Sequence, residues 1–161
     1  MKKVLDNFLS KEHYQELVEE IHNMPWFYSS SIDYFDEVEL EKYQFIHTFW
    51  EGGHTYNRKV VDLFSYYLQP IAWCRIKANF SLVRDVLTEN NLHIDGSHGD
   101  NTAIFYLNSN DGYTFFEDGD KVESVANRLV LFPRETMHSG TTSTDTHRMV
   151  INLNWYGPEG F

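Results

Sequence analysis

A β-sandwich or jelly roll with helices packed on one face is the fold class that the sequence predicts. Two amphipathic helix patterns occupy the first part of the chain, and a series of short β patterns fills the rest. Asn-Asp-Gly and Asp-Gly-Asp turn signals separate some of these β patterns, as is typical of antiparallel domains. We therefore expect one domain over 1–161, with a helical part over about 1–70 and a β core over about 71–157.

The two helices are predicted by apolar residues that recur every three or four positions. The first should begin after Ser10, an expected N-cap, and end before Pro25. The second should cover about 56–69 and end before Pro70. Their apolar stripes, which we expect to face the core, are Tyr14, Leu17, Val18 and Ile21 in the first helix and Val60, Val61, Phe64 and Leu68 in the second.

Six segments rich in β-branched and aromatic residues predict strands. They are 71–83, 102–108, 113–117, 121–125, 128–133 and 148–156. Asn127, which tolerates a left-handed backbone, should form the turn before the fifth segment. In the last segment, a wholly apolar set should pack against the helices, and the alternate set should face the interior. The apolar set is Met149, Ile151, Leu153 and Trp155, and the interior set is Arg148, Val150, Asn152 and Asn154.

Composition narrows the class of protein. The 161 residues include 24 acidic and 13 basic side chains, and the net charge is -11, so we expect no nucleic-acid partner. The acidic stretch 33–43 is expected to be a solvated loop. No apolar run resembles a membrane span or a signal peptide. The single Cys74 fits a reducing compartment. We expect a soluble cytoplasmic protein and leave a homo-oligomer open.

Residues 92–99, LHIDGSHG, offer three side chains of the kind that bind metals. Positions i and i+2 of a strand point to one face, so His93 and Asp95 could converge on an ion, although His-x-Asp pairs also occur by chance. His98 is out of phase with Asp95 and is expected at the pocket rim or in solvent. His47 and His54 flank Trp-Glu-Gly-Gly and are expected to be ordinary surface or strand histidines.

His138 and Arg148 lie downstream and extend this constellation. His138, at a strand entrance, is either an ordinary histidine or a third ligand, and two imidazoles with one carboxylate form the facial triad that holds Fe(II). A structural zinc site would more often be rich in thiolates, which the lone Cys74 cannot supply. Arg148 should lie inside the domain, where a guanidinium needs an anionic partner. A bound carboxylate is one candidate, and a distant Asp or a path to solvent is the other.

Taken in order, these segments resemble the catalytic core of the Fe(II)/2-oxoglutarate-dependent dioxygenases. The resemblance is carried by LHID, TAIFYLN, DGYTFFEDG, NRLVLFPRETMHSG and THRMVINLNW. It is nearest to the prolyl-4-hydroxylase-like branch, including small stand-alone forms of phages and bacteria. The opening VLDNFLSKEHYQELVEEI is similar as well, and 25–70 agrees more loosely. The resemblance implies a double-stranded β-helix (a cupin-like jelly roll) with N-terminal helices on one sheet.

The same resemblance implies roles for individual residues. His93, Asp95 and His138 would bind Fe(II). Arg148 would bind the distal carboxylate of 2-oxoglutarate, and Tyr106 would donate its hydroxyl to that carboxylate.

Two asparagines complete the site that the resemblance implies. Asn79 would contact the cosubstrate, and Asn152 would hydrogen-bond either the cosubstrate or a partner of an iron ligand. Val150 stands where many relatives have Ser or Thr, and 81–92 lacks the glycine-rich turn common in prolyl hydroxylases, which weighs against a prolyl substrate.

The resemblance implies an enzyme that uses Fe(II), 2-oxoglutarate and O2, hydroxylates a peptide or amino-acid-like substrate, and releases succinate and CO2. The negative net charge favours a neutral or basic substrate. The alternative is a cupin-like metal or small-molecule binding module without oxidative turnover. Arg148 and Tyr106 together favour the enzyme, because a 2-oxo acid needs a dedicated carboxylate clamp.

Overall fold

Two antiparallel sheets form the framework of the computed structural model, which describes residues 1–30, 32, 43–96 and 99–158. Helices α1 and α2 cover Lys11–Asn23 and Arg58–Leu68. The strands in chain order are β1 Lys3–Leu5, β2 Phe27–Ser29, β3 Gln44–Glu51, β4 His54–Thr55, β5 Ala72–Ser81, β6 Asn101–Tyr106, β7 Tyr113–Phe116, β8 Lys121–Glu123, β9 Arg128–Pro133, β10 His138–Gly140 and β11 Arg148–Tyr156.

The larger sheet has the order β1-β9-β6-β11-β5-β3-β2, with β4 paired to β3, and the smaller sheet has the order β10-β7-β8. Two isolated bridges extend the smaller sheet beyond β10: Glu89 pairs with Thr141, and His93 pairs with His138. The segment that precedes Asp95 is therefore held against β10, although it is far from it in sequence.

Two apolar layers pack against opposite faces of the larger sheet. The outer layer joins the helices to the apolar side of β11, as the alternation of its residues predicted. Its helical members include Leu17 and Ile21 of α1 and Phe64 of α2. The inner layer lies between the two sheets and contains Ile104, Tyr106, Phe116, Val130, Phe132 and Val150. This arrangement confirms the predicted mainly β fold with helices on one sheet.

Side-chain caps fix where the helices begin. The Oγ of Ser10 accepts a hydrogen bond of 3.2 Å from the backbone N–H of His13, as expected of an N-cap. Asn57 caps α2 in the same way, so that helix begins two residues later than predicted. Asn127 has the left-handed φ of 61° that its turn requires. Neither helix in the described residues is long and apolar enough to cross a membrane.

The part of the chain before residue 71, predicted as helical, also contains β1 to β4. β3 is the longest of these four, and it pairs with β5 along most of its length. A register shift between Thr48 and Trp50 breaks its two-residue alternation, which is the pattern that reveals a strand in a sequence. The predicted acidic loop, 33–43, lies outside the described residues except for Tyr43.

Candidate metal and carboxylate site

Three side chains that bind metals converge in a cavity of about 220 Å³ between the sheets. One ligand atom from each of His93, Asp95 and His138 lies within 4.8 Å of the other two. His93 and His138 exchange two backbone hydrogen bonds of 3.0 Å each, which set the rings side by side. Asp95 follows in a loop rather than on a strand, because Gly96 turns the chain with a φ of 57°. Their side chains converge as expected, although strand alternation is not the reason, because Asp95 lies beyond the strand-like bridge at His93.

Both imidazoles present the same nitrogen to the cavity. Nδ1 of His93 is 3.0 Å from the carbonyl oxygen of Asn91, and Nδ1 of His138 is 2.9 Å from that of Thr136. A carbonyl only accepts, so each Nδ1 carries the proton and each Nε2 keeps its lone pair for a cation. Burial lowers the pKa of His138 in spite of the nearby Asp95 carboxylate, and this favours the neutral form that binds metals.

Asp95 is a buried carboxylate with several polar neighbours. Its Oδ2 accepts from Nδ2 of Asn152 at 3.4 Å and from Nδ2 of Asn154 at 3.3 Å. Nη2 of Arg75 lies 3.4 Å from Oδ1. Burial by itself would raise the pKa of Asp95, but the Arg75 charge, the two histidines and the Asn154 amide outweigh it and lower the pKa. The carboxylate is thus kept ionised and oriented, as a hard ligand for a metal must be.

Arg148 is a fully buried cation at the other end of the cavity wall, opposite Ser81. Its Nε donates to Oγ of Ser124 at 3.2 Å, and its Nη2 donates to Oγ1 of Thr114 at 3.3 Å. Among the described residues, no carboxylate lies within ion-pair distance of this guanidinium. Its charge is therefore compensated only by neutral hydroxyls, which is costly in a buried place unless an anion binds there.

Two glycines leave the space that Arg148 fills. A Cβ added at Gly140 would lie 3.0 Å from Nη1 of Arg148, and one added at Gly112 would lie 3.0 Å from its Cδ. The second position is tighter still, because the backbone oxygen of Thr142 would be only 2.8 Å away. The glycine of Asp-Gly-Tyr-Thr and that of His-Ser-Gly therefore both serve the placement of one guanidinium.

Tyr106 and Thr114 complete this end of the site. The hydroxyl of Tyr106 donates to Oγ1 of Thr114 at 2.7 Å, and the guanidinium carbon of Arg148 lies 5.8 Å from the Tyr106 ring centre. The Tyr106 hydroxyl also lies 3.3 Å from the Val122 carbonyl oxygen, and Thr114 lines the cavity, where its hydroxyl can contact a ligand. Tyr106 is buried behind Thr114. It contacts Thr114, which lines the cavity, and is not itself among the described lining residues.

The remaining histidines lie apart from this constellation. His47 is buried on β3, with Nδ1 at 2.7 Å from the carbonyl oxygen of Pro25. His54 is exposed on β4. Neither lines the cavity. His98 is outside the described residues.

The cavity wall includes Arg75, Lys77 and Thr114, for which the sequence predicted no contact, and Asn154 contacts Asp95 from beside the cavity. Arg75 and Lys77 alternate with Asn79 along β5, so the period of a strand could have found them once Asn79 was placed inside. Asn154 shares the inward face of β11 with Arg148. Asn79 itself lines the cavity, and its buried Oδ1 has no hydrogen-bond partner in the described structure.

The donor set suits one type of metal. Two neutral imidazoles and one carboxylate on one side of a cavity match the facial arrangement of non-haem Fe(II), and they leave positions open toward the cavity. A buried cation in the same cavity would hold a carboxylate away from that metal. The arrangement can therefore bind a divalent cation and an organic anion together.

Comparisons with solved structures identify the fold. A 2OG-Fe(II) oxygenase family oxidoreductase from Burkholderia pseudomallei superposes with a TM-score of 0.67 and 9% identity, over 96% of this chain and 84% of that one. A Pseudomonas putida prolyl-4-hydroxylase gives 0.59 and 16%, over 97% and 92%. A Trichoplax adhaerens prolyl hydroxylase, in complex with a hypoxia inducible factor oxygen degradation domain peptide fragment, gives 0.66 and 14%, over 96% and 82%.

No protein-family model and no curated protein matches the sequence. The structural likeness, at these low identities, nevertheless extends over nearly the whole chain and confirms the double-stranded β-helix fold.

Proposed function

We propose that the chain is an Fe(II)- and 2-oxoglutarate-dependent oxygenase. One observation carries the proposal: a His-Asp-His cluster and a buried cation, which has no anionic partner among the described residues, line the same cavity. The first is the donor set for Fe(II), and the second is what a dicarboxylate cosubstrate needs at its far end. Solved oxygenases with this fold support the proposal.

His93, Asp95 and His138 would hold the iron. Iron bound there supplies the activation of O2, with 2-oxoglutarate as the reductant that leaves as succinate and CO2. Asn152 and Asn154 orient the Asp95 carboxylate.

Arg148 and Thr114 would bind the distal carboxylate of 2-oxoglutarate, the first as a cation and the second through its hydroxyl. Tyr106 positions Thr114, and direct donation from Tyr106 to the carboxylate stays a prediction from the resemblance. The Oδ1 of Asn79, which has no hydrogen-bond partner among the described residues, could accept from a donor in the same cavity. Ile104 and Val150 form an apolar wall beside the clamp, which keeps water from the ion pair and strengthens it.

Hydroxylation of a peptide or amino-acid-like substrate is the outcome that we propose, because prolyl hydroxylases are among the structures with this fold, one of them in complex with a peptide. A single domain over 1–161 and a cytoplasmic location stay predictions from the length and from the single Cys74.

Succinate formation tests the proposal. Protein loaded anaerobically with Fe(II) is given O2 and labelled 2-oxoglutarate, and bound iron and labelled succinate are measured for wild type, His138→Ala and Arg148→Ala. His138→Ala should lose both iron and succinate. Arg148→Ala should keep iron and need more 2-oxoglutarate.

The matched control is His54→Ala, because His54 is an exposed histidine away from the cavity. This variant should behave as wild type in both measurements. Equal succinate from wild type and His138→Ala would exclude the proposed activity, and iron binding without any 2-oxoglutarate turnover in wild type would support the cupin-like binding module instead.

A further inference from the structure

The inward face of β5 carries a row of polar side chains: Arg75, Lys77, Asn79 and Ser81. In the pairing with β11, Lys77 lies opposite Asn152, and Ser81 lies opposite Arg148. Alternate residues of a strand are about 7 Å apart, so Lys77 and Ser81 are separated by roughly 13 Å along the strand. Because Asn152 donates to Asp95, Lys77 belongs to the metal end of the cavity and not to the Arg148 end.

Lys77 has no hydrogen bond or ion pair with any part of the chain that the structure describes. Burial lowers the pKa of its ammonium, and the neighbouring Arg75 lowers it further, against weaker opposing effects of Asp95 and Glu51. Arg75 differs, because its Nη2 lies 3.4 Å from Asp95. Lys77 is thus a largely buried cation that the metal and the cosubstrate clamp leave unused.

The charged side chains that line the cavity are mostly positive. Arg75, Lys77 and Arg148 line it as cations, and Asp95 is the only carboxylate among the described lining residues. A divalent metal and a dicarboxylate cosubstrate cancel each other, so the cavity keeps its excess of positive charge when both are bound. Such an excess in a buried place favours a further anion.

We propose that Lys77 binds a carboxylate of the primary substrate beside the metal. The inference rests on the proposed function and narrows the substrate class to carboxylic acids, either free acids or acidic side chains of peptides. It reverses the expectation of a neutral or basic substrate, which came from the net charge of the whole chain. The charged residues that line the cavity sum to a positive charge, whereas the net charge of the chain is negative.

Paramagnetic relaxation tests this inference without turnover. Protein saturated with Mn(II) and 2-oxoglutarate is titrated with matched ligand pairs, and the relaxation of ligand protons by Mn(II) is measured by NMR. The pairs are free N-acetyl-amino acids against their C-terminal amides, and the peptide acetyl-Gly-Asp-Gly-amide against acetyl-Gly-Asn-Gly-amide. Acid members should bind, and uncharged members should not. The first pairs report free acids, and the peptide pair reports acidic side chains.

Lys77→Met should weaken acid binding by about tenfold or more, because a charge-assisted hydrogen bond is lost. Lys77→Arg should retain part of the binding, and Lys59→Met, at an exposed position of α2, should bind as wild type. Melting temperatures of all variants report whether they fold. The inference is overturned if Mn(II) relaxes the protons of acids and amides equally, or if it relaxes neither.

Affinity for 2-oxoglutarate separates this inference from the proposed function. If wild type with Mn(II) does not bind 2-oxoglutarate, the proposed function fails in the first titration. If Lys77→Met binds 2-oxoglutarate about tenfold more weakly, Lys77 serves the cosubstrate and the inference fails alone. An unchanged 2-oxoglutarate affinity with lost acid selectivity supports both.

Discussion

The surroundings of Asp95 keep its carboxylate ionised and oriented. Its carboxylate is buried, accepts two amide hydrogen bonds from β11, and lies beside a guanidinium. The amides take one oxygen and leave the other toward His93. The neighbours of the ligand therefore decide its ionisation and its direction, and these neighbours come from two other strands, β5 and β11.

Replacing Asn154 tests this support. Asn154→Ala removes one of the two amide donors to Oδ2 of Asp95 and should weaken Mn(II) or Fe(II) binding by about 10- to 100-fold, which is typical for the loss of a group that orients a ligand. Metal affinity is measured by titration, with melting as a check on folding. Asn90→Ala is the matched control, because Asn90 lines the cavity but donates to the Gly140 carbonyl. Unchanged affinity in Asn154→Ala would remove its orienting role.

Among the elements, the turns that flank the strands carry part of the site. The Asn-Asp-Gly turn before β7 holds Asp111, whose carboxylate accepts from the backbone N–H of Thr144 at 2.8 Å and from the Thr144 hydroxyl. This contact ties the turn next to Thr114 to the loop that leads into β11 and Arg148. The two elements that carry Thr114 and Arg148 are thereby fixed to one another.

The Asp111 contact predicts a pH dependence of stability. Hydrogen bonds from Thr144 lower the pKa of Asp111. A lowered pKa in the folded state stabilises the fold above the unfolded value of about 4 and loses this effect as the pH falls toward the folded value. The urea midpoint of Asp111→Asn should lie below that of wild type by a constant gap between about pH 5 and 7, and this gap should narrow below about pH 4.

Asp85→Asn, at an exposed position, is the control for this measurement, and its midpoint should follow wild type throughout. A gap that stays constant or widens in acid would show that Asp111 does not act through its ionised form.

Over the whole molecule, the site joins two sheets. Asn79, Arg148 and Asn152 belong to the larger sheet, and Thr114 and His138 belong to the smaller one. Ligands that bridge the cavity should therefore stabilise the entire fold, because they bind only when both sheets are in place.

Thermal unfolding measures this linkage. Mn(II) and 2-oxoglutarate together, with the second at a hundred times its Kd, should add about 2.7 kcal/mol of stability. In a domain of this size that corresponds to a rise in Tm of roughly 5–10 °C. His138→Ala should show no such rise, and His54→Ala should show all of it. An equal rise in His138→Ala would mean that the ligands bind elsewhere.

The sequence revealed features that depend on local periodicity and local backbone chemistry. The inward set of β11, the caps of the helices and the left-handed Asn127 follow from neighbouring residues alone. The strands β1 to β3 were missed because they are short or contain a register shift, and their partners are distant in sequence. The hydrogen bonds of such strands are made with distant residues, so a local sequence pattern does not predict them.

The sequence was enough to predict the fold class, the ordered set of His93, Asp95, His138 and Arg148, and the inward direction of Arg148. The groups that surround these residues could be identified from the folded structure alone. That structure has Thr114 between Tyr106 and the cavity and Asn154 beside Asp95, and it gives Lys77 no hydrogen bond or ion pair with another described residue. The physical reason is that alternation along a strand fixes the face of a side chain, whereas its partner is fixed by the strands that pack across the cavity.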